Sequence, residues 1–158
     1  MAKREQVDTQ LQLLSYLLGN EIYAIDVMKI RGVERMTEIT AVPNFPGFVE
    51  GIINLRGEII PIIDLGIRFG IPKKEHDKET RIILMELQDM IVGLIVDKVF
   101  EVFQIDRSEV GQMPRIGASS IENQFIKGVV EVKDKLVIIL DMDRIFSDEE
   151  TQILAKSV

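Results

Sequence analysis

Residues 51–69 read GIINLRGEIIPIIDLGIRF: two apolar runs flank Asn-Leu-Arg-Gly at residues 54–57, and an aspartate follows the second run. Turn-forming residues between two apolar runs predict a β-hairpin, and Gly57 can adopt the positive φ that a tight turn needs. Asp64 stands where the second strand ends, which is typical of the N-cap of a helix. The segment is therefore predicted to fold as strand, turn, strand and helical turn.

The same pattern recurs 77 positions later, at residues 128–146. Four pairs of positions are identical: Gly51/Gly128, Ile62/Ile139, Asp64/Asp141 and Phe69/Phe146. The turn keeps a cation, because Arg56 is replaced by Lys133. A repeat of this length indicates one structural unit used twice.

The first part of each unit repeats with a different offset. Residues 12–33 match residues 81–102 at an offset of 69, with these identities: Leu18/Leu87, Ile22/Ile91, Val27/Val96, Lys29/Lys98 and Val33/Val102. The second unit is therefore eight residues longer than the first. We expect the extra residues within 103–123, where Gly, Pro and Ser accumulate.

Each unit contains about five short strands separated by turn residues, which predicts two small β-barrels of similar plan. The predicted boundaries are a first subdomain at about 11–69, a linker at 70–80, a second subdomain at 81–146 and a helix at 148–156. Ser147 and Glu150 have the spacing of a capping box at the start of that helix. Packed barrels leave a groove at their junction, and binding sites tend to form in such grooves.

Composition excludes several classes of function. The chain has 158 residues, 46% of them hydrophobic, and no cysteine, so neither disulfides nor thiolate chemistry are available. A net charge of −7 argues against a nucleic-acid partner. The apolar runs are much shorter than the roughly 18 residues of a membrane span, and the N-terminus lacks an apolar signal core. We expect a soluble cytoplasmic protein without direct membrane insertion.

The residues that could carry chemistry have simpler structural roles. His76 is the only histidine and lies in the charged linker, so a solvated surface position is the favoured interpretation. Asp64 and Asp141 occupy the same place in their own units, and helix capping accounts for both. The sequence contains no phosphate-binding glycine loop. We expect no catalytic residue, no metal and no cofactor; an enzyme or small-ligand barrel would need converging polar groups.

Two features stay open on sequence alone. The apolar stripe Ile25, Val27, Ile30 and Val33 fits either the core or a partner-facing surface. Arg56, on its tight turn, is either a solvated hairpin arginine or an interface residue, since arginine is enriched at interface centres.

Several motifs together carry a resemblance to a known family. They are GNEIYAID at residues 19–26, PNFPGFVEG at 43–51, INLRG at 53–57, PIIDL at 61–65 and GLIVDKV at 93–99. They resemble the CheW family of bacterial chemotaxis coupling proteins, over about residues 11–146. The Asn-Leu-Arg-Gly block with its flanks is the most specific of them.

The resemblance implies a non-enzymatic adaptor made of two SH3-like five-stranded β-barrels, with short helical turns and a C-terminal helix. Such an adaptor joins the cytoplasmic tip of methyl-accepting chemoreceptors to the regulatory domain of the histidine kinase CheA. It acts in the cytoplasm, at receptor arrays near the inner face of the membrane.

The resemblance also implies two sets of binding residues. The receptor-binding positions are Ile30, Val33, Asn54, Arg56, Gly57 and Val99. The kinase-binding positions, at the end of the first barrel, are Ile39, Val42 and Ile59. One departure stands out: many members of the family carry Lys-Val-Arg-Glu-Val where residues 29–33 read Lys-Ile-Arg-Gly-Val. The carboxylate expected on that strand is missing at Gly32, although Glu34 lies nearby.

Overall fold

The structure is a computed structural model that describes residues 9–72, 74–112 and 123–156. Over these residues the strands are β1 (Gln10–Leu18), β2 (Glu21–Asp26), β3 (Ile30–Arg35), β4 (Val49–Leu55), β5 (Glu58–Asp64), β6 (Arg81–Leu87), β7 (Met90–Val96), β8 (Lys98–Asp106), β9 (Ile126–Val132) and β10 (Lys135–Leu140). The helices are α1 (Leu65–Arg68) and α2 (Asp148–Ala155), with short 3-10 turns between strands. In the described ranges no helix is long and apolar enough to cross a membrane. The extra residues were expected within 103–123, and residues 113–122 of that stretch lie outside the described residues.

The two predicted hairpins are confirmed. In β4–β5, Leu55 pairs with Glu58, so Arg56 and Gly57 form a two-residue turn with φ of 51° and 88°. Positive φ at both positions is typical of the type I′ turn, whose twist matches that of the flanking strands. The β9–β10 turn has the same form, with φ of 52° and 66° at residues 133 and 134.

The strands form two five-stranded sheets with the same internal order. Sheet 1 runs β8-β1-β2-β10-β9, and sheet 2 runs β3-β6-β7-β5-β4. Exchanging β1–β5 for β6–β10 converts one order into the other. The predicted mainly β fold with two duplicated five-stranded units is therefore confirmed.

Neither sheet is built from one predicted subdomain alone, because each combines strands from residues 11–69 with strands from residues 81–146. The β1–β2 hairpin joins the last three strands of the second unit, and β6–β7 joins those of the first. Parallel pairs make the exchange: Ala24 lies beside Ile139, and Gly93 beside Ile62, at positions related by the repeat. A repeat offers two equivalent partners to each hairpin, so sequence similarity cannot say which one it pairs with.

Each sheet curls back on itself. An isolated antiparallel bridge joins Thr40, beyond β3, to Ile52 in β4. Gly111, beyond β8, forms the corresponding bridge to Val129 in β9. Each bridge brings the chain after one edge strand to the opposite edge, which gives the SH3-like shape.

The described residues form three apolar clusters. One lies within sheet 1 and one within sheet 2, and a larger main cluster is shared by both sheets. Neighbouring residues serve different clusters: Ile62 packs in the sheet 2 cluster and Ile63 in the main cluster. Strands buried on both faces need continuous apolar runs, which explains the lack of polar alternation in β5 and β10.

Helix capping follows the prediction. Asp64 Oδ1 accepts a hydrogen bond from the Ile67 backbone N–H at 3.1 Å, and Asp141 caps the 3-10 turn that follows β10. The capping box between Ser147 and Glu150 is present at the start of α2. The predicted caps and the C-terminal helix are confirmed.

Arg68 fastens the C-terminal segment to α1. Its guanidinium lies 5.2–5.8 Å from the centroids of three phenylalanine rings, those of Phe48, Phe125 and Phe146. It also donates to the Ile145 carbonyl at 2.7 Å and pairs with the Glu150 carboxylate at 3.2 Å. These contacts hold the first turn of α2 against the aromatic cluster between the sheets.

Tyr16 provides a stability prediction. Its hydroxyl is fully buried and has no hydrogen-bond partner within the described residues, and burial raises the pKa of the phenol well above its usual value. Since an unsatisfied buried polar group costs about 1–3 kcal/mol, Tyr16→Phe should increase the free energy of unfolding by about 1 kcal/mol. The gain should grow above the ordinary tyrosine pKa, because only the unfolded chain of the wild type then ionises at this position.

Urea denaturation at neutral pH and near pH 10.5 measures both effects. Tyr23→Phe is the matched control: the Tyr23 hydroxyl donates to the Glu21 carboxylate at 2.9 Å, so this variant should be slightly less stable than wild type. A clear loss of stability in Tyr16→Phe would contradict the interpretation.

Candidate functional site

The β4–β5 turn presents Arg56 to solvent. The Asn54 side-chain oxygen accepts a hydrogen bond from the Gly57 N–H at 3.0 Å, which closes the turn. The Arg56 side chain is 78% exposed, and its guanidinium lies 3.6 Å from the Glu34 carboxylate on β3. An exposed ion pair contributes little to stability, so we expect truncation of the Arg56 side chain to change the free energy of unfolding only slightly.

Glu34 places a carboxylate next to Arg56 on the strand where Gly32 has none. In the second unit, Lys133 pairs with Glu101 at 3.1 Å, and Glu101 is the repeat counterpart of Gly32. In the first unit the turn cation pairs instead with a residue two positions further along β3. The turn and the edge strand are therefore linked by an ion pair in both units, despite the missing glutamate.

The predicted apolar receptor-binding positions fall into two groups. Ile30 and Val99 are repeat counterparts, and both are half-buried against the main cluster shared by the sheets. Val33 is 41% exposed, whereas Ile25 is fully buried. The apolar stripe therefore begins in the core at Ile25 and ends on the surface at Val33. The Glu34 ion pair connects the strand that carries Ile30 and Val33 to the Arg56 turn.

The predicted kinase-binding positions lie on β5 of sheet 2 and in the segment between β3 and β4. Ile39 packs partly buried against the sheet 2 cluster, and Val42 is half-buried in the loop that leads to β4. Ile59 is 38% exposed and pairs directly with Asn54 across the β4–β5 hairpin. Positions from both predicted sets thus meet on one hairpin.

A groove of about 540 Å³, the first groove, opens beside the turn on sheet 2. Leu55, Ile60 and Ile91 contribute apolar lining, and charged residues including Arg56 and Glu58 line it as well. The first groove is lined by sheet 2 alone and does not lie at the barrel junction, where a groove was predicted. A separate hollow of about 380 Å³ lies between the β1–β2 turn of sheet 1 and residues 70–72, and it contains none of the predicted binding residues.

Of the residues that line the first groove, only Arg56 is among the predicted binding positions. Arg31 on β3 and Glu86 on β6 form an ion pair and line the groove with Arg56. They meet only because β6 joins the sheet of the first unit. Predicting this ion pair would have required knowing that the β6–β7 hairpin pairs with strands of the first unit.

The ionisable groups are arranged for turns and caps. Among the described residues, no group of three or more His, Cys, Asp or Glu side chains is placed to hold a metal ion. The pKa values of Asp77 and Asp106 are lowered, chiefly by hydrogen bonds from the backbone N–H groups of Glu79 and Ser108. His76 is exposed in the segment between the units.

Comparison with known proteins agrees with this architecture. The family model of the CheW-like domain matches residues 12–150. A chemotaxis protein CheW from Treponema pallidum is 33% identical over 94% of this chain and 89% of its own length. The corresponding protein from Thermotoga maritima is 35% identical over 88% of this chain and 89% of its own length. The solved structure of the scaffolding protein TtCheW from Thermoanaerobacter tengcongensis superposes with a TM-score of 0.80 at 38% identity, covering 89% of this chain and 94% of that one.

These matches define the class: a CheW-like domain that spans almost the whole chain. The chain belongs to the CheW family, as its Asn-Leu-Arg-Gly motif predicted.

Proposed function

We propose that this chain is a non-catalytic chemotaxis adaptor that couples the cytoplasmic tip of methyl-accepting chemoreceptors to the regulatory domain of the histidine kinase CheA. It would act in the cytoplasm, at receptor arrays. The receptor-binding surface comprises Ile30, Val33, Asn54, Arg56, Gly57 and Val99, and the kinase-binding surface comprises Ile39, Val42 and Ile59.

One observation carries the proposal. Arg56 stands on a rigid two-residue turn, largely exposed, and contributes only an exposed ion pair to the fold. An arginine in that position can fork to carboxylates or stack on flat groups of a partner. The Asn54 side chain accepts a hydrogen bond from the Gly57 N–H and so holds the turn in one conformation. The backbone of Arg56 is therefore already in place before a partner binds.

The geometry suggests how binding becomes signalling. Asn54 and Ile59 are cross-strand neighbours, so one hairpin would connect a receptor contact to a kinase contact over a very short distance. A stiff connection of this kind fixes the receptor and the kinase relative to each other. Each interface can then be modest, because linking several sites in an array supplies avidity.

Simultaneous binding is the expected result. In size-exclusion chromatography with light scattering, the chain, a receptor-tip fragment and the kinase regulatory domain should elute as one ternary complex. Each pair alone should give its binary complex, and receptor tip and kinase domain mixed without this chain should elute separately. If the receptor tip displaces the kinase domain from the chain, the two surfaces overlap and the adaptor proposal fails.

A further inference from the structure

Sheet 1 carries a groove of about 200 Å³, the second groove, that corresponds to the first by the repeat. It is lined by Ile22, Phe100, Phe103, Lys133, Lys135 and Val137, among others. Most of these have counterparts in the first groove: Lys133 corresponds to Arg56, Val137 to Ile60 and Ile22 to Ile91. Each unit therefore has a groove beside its turn, lined by corresponding positions.

The chemistry of the second groove is different. Phe100 stands where the first groove has Arg31, and Lys135 stands where it has Glu58. Phe100, which lines the second groove, is 41% exposed. An exposed large apolar side chain beside a concave site is typical of an interaction surface.

The charges around the second groove define its occupant. Lys133 and Lys135 line it together with one carboxylate, that of Glu101, which pairs with Lys133 at 3.1 Å. The groove therefore carries an excess of one positive charge on a chain whose net charge is −7. An apolar, aromatic lining with lysines at one side complements a large apolar side chain that has carboxylates beside it.

We propose that the second groove is a separate docking site for an acidic amphipathic segment of a partner protein. The segment inserts one phenylalanine- or leucine-sized side chain against Phe100 and Phe103, and its carboxylates meet Lys133 and Lys135. The small volume limits the insertion to a single large side chain. This surface goes beyond the proposed coupling function, because it includes none of the residues assigned there to receptor or kinase.

The test uses the whole chain, ¹⁵N-labelled, titrated with a short synthetic peptide that places one phenylalanine between glutamates. The amide signals of residues 100–103 and 132–137 should shift, while those of residues 54–58 should not. The shifts should weaken with added salt, because the charges are exposed. A peptide with lysines in place of the glutamates, and one with alanine in place of the phenylalanine, should shift neither set.

Variants separate this site from the coupling surface. Phe100→Ala and the double variant Lys133→Ala/Lys135→Ala should each weaken the acidic peptide roughly tenfold, whereas Arg56→Ala should bind it as wild type does. All these side chains are exposed, so the variants should fold, and unchanged melting confirms that. The proposal is overturned if the peptide shifts no signals, shifts those of the first groove, or binds equally well with lysines. None of these outcomes affects receptor or kinase binding, which is measured separately.

Discussion

Arg56→Ala should bind the receptor tip or the kinase domain about thirtyfold more weakly than wild type while melting at nearly the same temperature. Truncating an arginine at the centre of an interface costs roughly 2 kcal/mol or more, and about 1.4 kcal/mol corresponds to a factor of ten in affinity. The fold loses only an exposed ion pair with Glu34 at 3.6 Å, and surface substitutions usually change stability by less than about 0.5 kcal/mol. Thermal melting and calorimetric titration of the same preparations measure the two effects.

Lys133→Ala is the matched control for this variant. Lys133 occupies the same turn position in the second unit, has almost the same φ, and pairs with a carboxylate across the barrel. Alanine at either position therefore meets the same backbone conformation and loses a comparable ion pair. Lys133→Ala should bind receptor tip and kinase domain nearly as wild type does. Early unfolding of Arg56→Ala, or normal binding by both variants, would show that the turn arginine is structural or merely solvated.

Gly51→Ala should destabilise the protein by about 3 kcal/mol or more. Gly51 has a φ of 152°, and a Cβ built there would lie 2.1 Å from the Thr40 carbonyl oxygen. That oxygen accepts from the Ile52 N–H at 2.9 Å in the bridge that closes sheet 2. Since the obstruction is backbone and not a flexible side chain, alanine must break the bridge or distort β4.

Gly47→Ala is the control for the glycine substitution. A Cβ at Gly47 would meet no atom within 4 Å, so this variant should melt close to wild type. Gly128, the repeat counterpart of Gly51, lies against the Gly111 carbonyl in the other sheet, and Gly128→Ala should be damaging as well. Denaturant unfolding of the three variants decides the matter; a Gly51→Ala variant within about 0.5 kcal/mol of wild type would mean that the bridge is dispensable.

Local chemistry explains what could be predicted from the sequence. The hairpin at residues 54–57 needed only turn residues between apolar runs, and Asp64, Asp141 and Ser147 are caps because their side chains reach the backbone N–H groups of the next turn. These interactions span a few residues, so they leave a readable pattern. The repeat added the long-range information that the two units have the same plan.

Long-range pairing explains what could not be predicted. The β1–β2 and β6–β7 hairpins are exchanged between the sheets, and each meets strands equivalent to those of its own unit. The repeat in the sequence would look the same with or without this exchange. The Arg31–Glu86 pair and the first groove depend on that exchange, because β3 and β6 are neighbours only in the exchanged arrangement. The first groove is lined by residues of β3, β6 and β7 as well as of the β4–β5 hairpin, so its position depends on the same exchange.

Coupling itself is the central claim, and a kinase assay tests it most directly. The autophosphorylation rate of CheA would be measured with receptor-containing membranes, with and without this chain, before and after a receptor ligand is added. We expect the kinase to respond to the ligand only when the wild-type chain is present, and the response to be largely lost with Arg56→Ala and kept with Lys133→Ala. A ligand response of equal size without the chain, or no response with it, would contradict the account.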